Sequence, residues 1–196
     1  MSDKEVEGAE SIEGAESIEG AESIEGAESI EGAESIEVRR AGRQDLAAIV
    51  RVVKKSSRSR LAVNEATAME WLFSKGLWVA TGGSGVVGVA AWQVENLVCI
   101  TDLFHVAPAR YRKEAGSRLL QAIEAEAGVL MCEANAMVLP AWTPRTVRTF
   151  LQGQGYEPKP FAELHRIWRE VLGEWIQGEE ELMVKRLRDR MVMAPI

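Results

Sequence analysis

The chain has 196 residues, 23 Lys and Arg against 30 Asp and Glu, and a formal charge of −7. That length suits one buried core, and 17 Gly with only 2 Cys exclude collagen-like and disulfide-scaffold classes. The charge is split: residues 1–37 hold 13 acidic side chains and one Lys, a charge of −12, whereas residues 38–196 hold 22 Lys and Arg and 17 Asp and Glu, a charge of +5.

From Gly8 to Glu37 the hexapeptide Gly-Ala-Glu-Ser-Ile-Glu recurs five times without change. A β-helix of that period would stack Glu16 and Glu22 where small residues belong, at a large desolvation cost. A helix would spread Ile12, Ile18 and Ile24 around its circumference, since six residues advance the wheel by about 600°. Residues 1–37 are therefore expected to be a disordered acidic tail. Two readings of that tail stand: a tether for a basic surface, and a linker with no specific role. It lacks the basic start and apolar run of a signal peptide.

The remainder alternates helix and strand signals. Val38–Arg40 reads as a short strand, and Gln44–Lys55 as a helix with Leu46, Ile49, Val50 and Val53 on one face. Asn64 caps a second helix that runs to Lys75 and closes at Gly76. Leu77–Thr81 and Val86–Val94 form a hairpin around Gly82–Gly85, and Gly88 inside the second strand signals a bulge or a close backbone approach. Leu97–Val106 is apolar on both faces, as a central strand is. Arg110–Ala127 is the clearest helix, with Leu119, Leu120, Ile123 and Ala127 on its buried stripe. Ala134–Leu139 is a strand and Thr143–Gln152 a short helix with Pro144 near its start. A last strand is expected around Leu164–Glu170 and an amphipathic helix over Glu179–Met193, so residues 171–196 read as a helical extension.

No stretch approaches the ~18 apolar residues of a membrane span. Cys99 and Cys132 lack metal-ligand spacing and suit a reducing cytosol, so a cytoplasmic protein without a metal, a membrane or a nucleic-acid partner is expected. Of the six Trp, most suit core packing; Trp142 could also line an acceptor pocket, and Trp168 and Trp175 could serve a homodimer contact.

Three segments carry a resemblance to a known family. They are Gly85-Val86-Val87-Gly88-Val89-Ala90-Ala91-Trp92, the strand–Pro–helix junction from Leu103 to Leu120, and Thr149-Phe150-Leu151-Gln152-Gly153-Gln154-Gly155-Tyr156-Glu157. In this order and spacing, residues 38–170 resemble the GNAT acyltransferases. The resemblance implies an α/β (α+β) fold with a mixed, mostly antiparallel sheet and helices on both faces. It implies acetyl transfer from acetyl-CoA to a primary amine of a small-molecule or protein acceptor, by direct attack. The alternative is a GNAT-like module that binds acyl-CoA or serves as a scaffold without turnover.

A helix N-terminus with unpaired N–H groups suits the pyrophosphate of CoA, and Arg110, Arg112 and Lys113 add positive charge there. By resemblance, backbone groups at Phe104, His105 and Val106 would pair with the pantetheine arm. Tyr111, Arg112, Lys113, Glu114, Ala115, Gly116 and Ser117 would form the phosphate loop, with Gly116 in register with the family's last glycine. Leu151 and Pro144 fall where many members carry a Tyr acid and an Asn, so neither role passes to them. Asp102, among apolar neighbours, and His105, with an intrinsic pKa near neutrality, are the candidate proton acceptors. An odd spacing puts them on opposite faces unless a bulge intervenes, and the choice between them is open. Glu95 and Tyr156 are weaker candidates.

Overall fold

Strand β4 (Val98–Val106) is the axis on which the other elements are arranged, in a computed structural model that describes residues 35–83, 85–176 and 178–188. Around it lie β1 (Glu37–Arg40), α1 (Leu46–Ser57), α2 (Glu65–Ser74), β2 (Gly76–Gly82) and β3 (Gly85–Glu95) on the N-terminal side. The elements α3 (Arg112–Val129), β5 (Ala134–Leu139), α4 (Arg145–Gly153), β6 (Glu157–Pro158), α5 (Arg166–Leu172) and β7 (Glu181–Arg186) follow it. The chain divides into two units, residues 1–33 and 34–196. The first lies outside the described residues, and with it nearly all of the tail expected to be disordered.

The seven strands form one sheet in the order β1-β2-β3-β4-β5-β7-β6. Every neighbouring pair is antiparallel except β4 and β5, as expected for a mixed, mostly antiparallel sheet. Alternation along β4 separates two layers. Leu103 packs with Val89 and Ala91 against Leu46, Ile49, Val52 and Val53 of α1, and Val98 and Ile100 pack against Trp168, Val171 and Leu172 of α5. On the opposite face Cys99, Phe104 and Val106 meet Ala115, Leu119 and Ile123 of α3, and α4 adds Leu151 and Phe150 beside Leu120.

Local signals explain the well-read elements. Asn64 Oδ1 accepts the Thr67 N–H at 2.9 Å and caps α2. Gly88 serves both functions its sequence position suggested. The β2–β3 register shifts beside it, and a Cβ at Gly88 would lie 2.9 Å from Leu119 Cδ1, so the bare backbone gives α3 a close approach to the strand. Arg39 donates two hydrogen bonds to the buried Asp45 carboxylate, at 2.7 and 2.8 Å, which ties β1 to the start of α1.

Three expectations are corrected. Residues 164–170 are not a strand: Arg166–Leu172 is helix α5, burying Trp168, Val171 and Leu172 at helical spacing. Residues 181–186 are not part of an amphipathic helix and do not extend the domain. They form β7, which lies inside the sheet between β5 and β6. Leu182 and Val184 face α5 while Met183 faces Leu120 and Leu151, so both faces are buried and the period of two is hidden. The rest of that expected helix, from residue 189, lies outside the described residues. Finally, the tail ends earlier than residue 37. Ile36 is 1% exposed in the α3-side core, its carbonyl accepts from Arg118 at 2.7 Å, and Glu37 opens β1.

Ile36 should therefore behave as a core residue despite its repeat context. Ile36→Ala is expected to destabilise the protein by about 2–5 kcal/mol, read as a lowered urea midpoint at unchanged m-value. A change within about 0.5 kcal/mol would show that Ile36 is not packed.

Candidate active site

The site begins where β4 and β5 part. Their pairing runs from Val98–Ala134 to Thr101–Met137 and stops, although β4 continues to Val106 and β5 to Leu139. The β5-facing edge of Leu103–Val106 thus has no strand beside it. The resulting cleft, about 110 Å³, is lined by Thr101, Asp102, Phe104 and His105 from β4, by Met137–Pro140, by Trp142–Pro144 ahead of α4, by Ser56 and Leu61, and by Arg112. Its volume admits a small group, so a large ligand would occupy it by one end only.

A bulge does intervene between Asp102 and His105. Ala91 pairs with Leu103 and Trp92 with Thr101, so Asp102 is an extra residue in β4 with no partner in β3. The Thr101 hydroxyl donates to Asn135 Oδ1 at 3.0 Å, while Asp102 turns towards the α1–α2–α5 face. There Lys75 Nζ, just past α2, donates to Asp102 Oδ2. The Lys75 ammonium also lies 5.1 Å from the Trp175 ring centroid. Asp102 Oδ1 is buried and has no hydrogen-bond partner. The extra residue shifts the alternation, so Asp102 shares its face with His105, and both line the cleft. Asp102 is not isolated among apolar groups, as its sequence context suggested, but half-committed to a cation.

His105 Nδ1 lies 3.1 Å from Ser56 Oγ in α1. The ring is 9% exposed, and burial pushes its pKa down to about 4. At neutral pH it is an uncharged imidazole and a weak proton acceptor.

The junction after β4 runs through a 3-10 turn, Ala109–Tyr111, straight into α3, and no side chain caps that helix. Arg110 stacks on Tyr111, 4.7 Å from the ring centroid. Arg112 Nη1 donates to Thr146 Oγ1 at 3.2 Å, which brings the starts of α3 and α4 together. Lys113 is exposed. Glu114 turns along the helix to Arg118, 3.3 Å away, and so points its charge away from the helix start. Ala115 is core, and Ser117 Oγ donates to the Lys113 carbonyl at 2.6 Å. Gly116 lies one turn inside, where a Cβ would meet Phe150 Cζ at 2.9 Å and Phe104 Cζ at 3.3 Å; its bareness serves the approach of α3 to α4.

The weaker candidates lie elsewhere. Glu95 ends β3, paired with Val98 at the far end of β4. Tyr156 is buried on the α3 side, accepts from Asn135 at 2.9 Å and donates to Glu124 at 3.0 Å; burial raises its pKa well above the usual phenol range. Leu151 is fully buried in the core. Trp142 lines the cleft, whereas Trp168 packs in the α5-side core. A larger groove of about 730 Å³ lies between β6, β7 and α5 and contains none of the expected site residues. Among the described residues, no helix is long and apolar enough to cross a membrane, and no group of three or more His, Cys, Asp or Glu could hold a metal ion.

No family model matches the sequence, and no curated protein does. Solved structures share the fold. N-acetylglutamate synthase from Neisseria gonorrhoeae, solved with coenzyme A and N-acetyl-glutamate, aligns with a TM-score of 0.61 at 14% identity. The alignment covers 79% of this chain and 35% of that one, so this chain spans about a third of the synthase. The PaiA N-acetyltransferase from Thermoplasma acidophilum, in complex with coenzyme A, aligns at 0.61 and 13% identity over 78% of this chain and 99% of that one. A GNAT-family acetyltransferase from Staphylococcus aureus aligns at 0.61 and 11% identity over 79% and 100%. The fold of residues 35–188 is GNAT-like, as the sequence resemblance implied.

The His105 environment sets a pH dependence. Between the ordinary value of 6.5 and about 4, the unfolded chain binds a proton at this residue that the folded chain does not. Its contribution is therefore fully present above pH 6.5 and is lost as pH falls towards 4, about 3 kcal/mol in all. His105→Gln should flatten the stability–pH curve across that window, measured by urea unfolding. An unchanged slope would mean that His105 protonates freely in the folded state.

Proposed function

We propose that the protein transfers an acetyl group from acetyl-CoA to a primary amine. The observation that carries this reading is the cleft where β4 leaves β5, lined by Asp102, whose carboxylate keeps one oxygen without a hydrogen-bond partner. The residues fit the donor. The unpaired edge of Phe104, His105 and Val106 suits an extended amide-bearing arm, which would add to the sheet as a short strand. The uncapped start of α3, with Arg110, Arg112 and Lys113, suits a pyrophosphate. Tyr111 and Ser117 flank that start, and Glu114, turned to Arg118, leaves it clear. Gly116 and Ala115 hold α3 against Phe150 and the core behind it. The cleft has room for an acetyl-sized group.

Acetyl-CoA supplies an activated thioester. The chain's own part is to place and deprotonate the amine. Asp102 Oδ1, lacking any partner, accepts a hydrogen bond from the incoming ammonium and takes up its proton. Lys75, itself over the Trp175 ring, holds the other carboxylate oxygen and fixes the direction of Oδ1. His105 stays neutral and, held by Ser56, shapes the wall beside the amine. The starts of α3 and α4 border the cleft at Arg112 and Pro144, and helix N-termini favour negative charge.

A second reading, a module that binds acyl-CoA without turnover, is favoured by one arrangement. Lys75 already neutralises Asp102, and Leu151 is sealed in the core. Asp102→Asn separates the two. Transfer predicts a fall in kcat of at least about 100-fold, with acetyl-CoA affinity by calorimetry changed less than about 3-fold. Acetyl-CoA binding with no transfer to any amine by the unmodified protein would favour the module. No binding at millimolar acetyl-CoA would sink both.

A further inference from the structure

The end of α1 carries charge that no acidic side chain among the described residues pairs with. Between Leu46 and Asn64 the chain has five cations, Arg51, Lys54, Lys55, Arg58 and Arg60, and no acid. All five are exposed. Among the described residues none of them forms an ion pair. A helix C-terminus accounts for Lys54 and Lys55, in its last turn. It does not account for Arg58 and Arg60, which lie beyond the helix end.

The loop brings one of these cations, Arg60, to the cleft. Arg58 and Ser59 have positive φ, 53° and 59°, and end α1 abruptly. Leu61 then lines the cleft, as does Ser56 before the turn. Arg60 lies over the Trp142 ring, 5.7 Å from its centroid, and so bridges from the α1–α2 loop to the segment ahead of α4. The mouth of the cleft is therefore cationic, whereas its interior is lined by Asp102, whose Oδ1 has no hydrogen-bond partner. A fitting molecule has a cationic head and anionic groups behind it. From Arg51 to Ser57 the strip runs about 9 Å along the helix, and the loop lengthens it. That is the span of three or four residues of extended chain, and more than one small anion needs.

Resting on the acyl-transfer reading, we propose that the acceptor is a polypeptide whose amino terminus enters the cleft and is followed at once by acidic residues. Those residues lie along Arg60, Arg58, Lys55 and the helix face behind them, and the ammonium reaches Asp102.

The test uses the full chain and three hexapeptides with free amino termini and a C-terminal fluorophore. One is rich in Asp and Glu, one in Ser and Gln, and one in Lys. Binding is read by anisotropy without cofactor, and acetylation separately with acetyl-CoA by mass spectrometry. The acidic peptide should bind about 10-fold or more tightly than the neutral one at low salt, and the advantage should shrink near 0.3 M salt. R58E/R60E should abolish the preference, and the milder K55Q/R60Q should weaken it, both at unchanged melting temperature. Equal binding of acidic and neutral peptides would overturn the proposal, as would a preference retained by R58E/R60E. Free aspartate acetylated as efficiently as the acidic peptide would overturn its polypeptide part. An acidic peptide that binds but is never acetylated would instead defeat the acyl-transfer reading and leave the docking surface standing.

Discussion

Between Thr101 and Leu103, β4 holds one residue more than β3 opposite it, and the arrangement at the cleft depends on that insertion. Without it, alternation from Val98 and Ile100 would put Asp102 and Phe104 together on the α5 side and His105 on the α3 side, away from Asp102. With it, Asp102 meets Lys75, and the alternation beyond it is reset so that His105 comes to the same side. The insertion also coincides with the last rung between β4 and β5. A bulge increases local twist and bends its strand, so one extra residue both turns a functional side chain and opens the space it faces.

The two proton-acceptor candidates are made unequal by what surrounds each. His105 is enclosed by apolar groups and one hydroxyl, so charging it is costly and it stays neutral across the physiological range. Asp102 instead has a cation on one oxygen and nothing on the other. The pair is half-buried and the Lys75 ammonium also lies over the Trp175 ring, so Lys75 is part of the wall rather than a group an incoming amine displaces. The free oxygen is then the place where an ammonium gains a partner without another group losing one.

How much could be read from sequence follows from how local each signal is. Asn64, Gly88, the apolar β4 and the stripe of α3 are set by neighbours within a few residues, and all stand where expected. Strand β7 was hidden because Leu182, Met183 and Val184 are buried on both faces, and α5 because Trp168, Val171 and Leu172 occupy too short a window to show a period. The boundary at Ile36 was hidden by the repeat: five identical Ile contexts cannot reveal which one packs. Asp102 and His105 could be singled out by residue type alone. Their partners could not, because Lys75 lies 27 residues from Asp102 and Ser56 lies 49 from His105, and only the sheet joins them.

The charge of −7 averages features that act separately. Within residues 38–196 the positive charge is gathered at two places, the start of α3 and the end of α1, and Arg112 from the first and Ser56 and Leu61 from the second line the same cleft. A positive potential at each lip, with a single free carboxylate oxygen between them, draws in anions from both directions while keeping a cation-seeking point at the centre. A donor with phosphates and an acceptor with carboxylates would each approach its own lip, and their neutral acetyl and cationic amine ends would be what meet inside. On the proposed reading, such a geometry would sort two anionic molecules by where their uncharged or positive end lies, which a uniformly basic surface could not do.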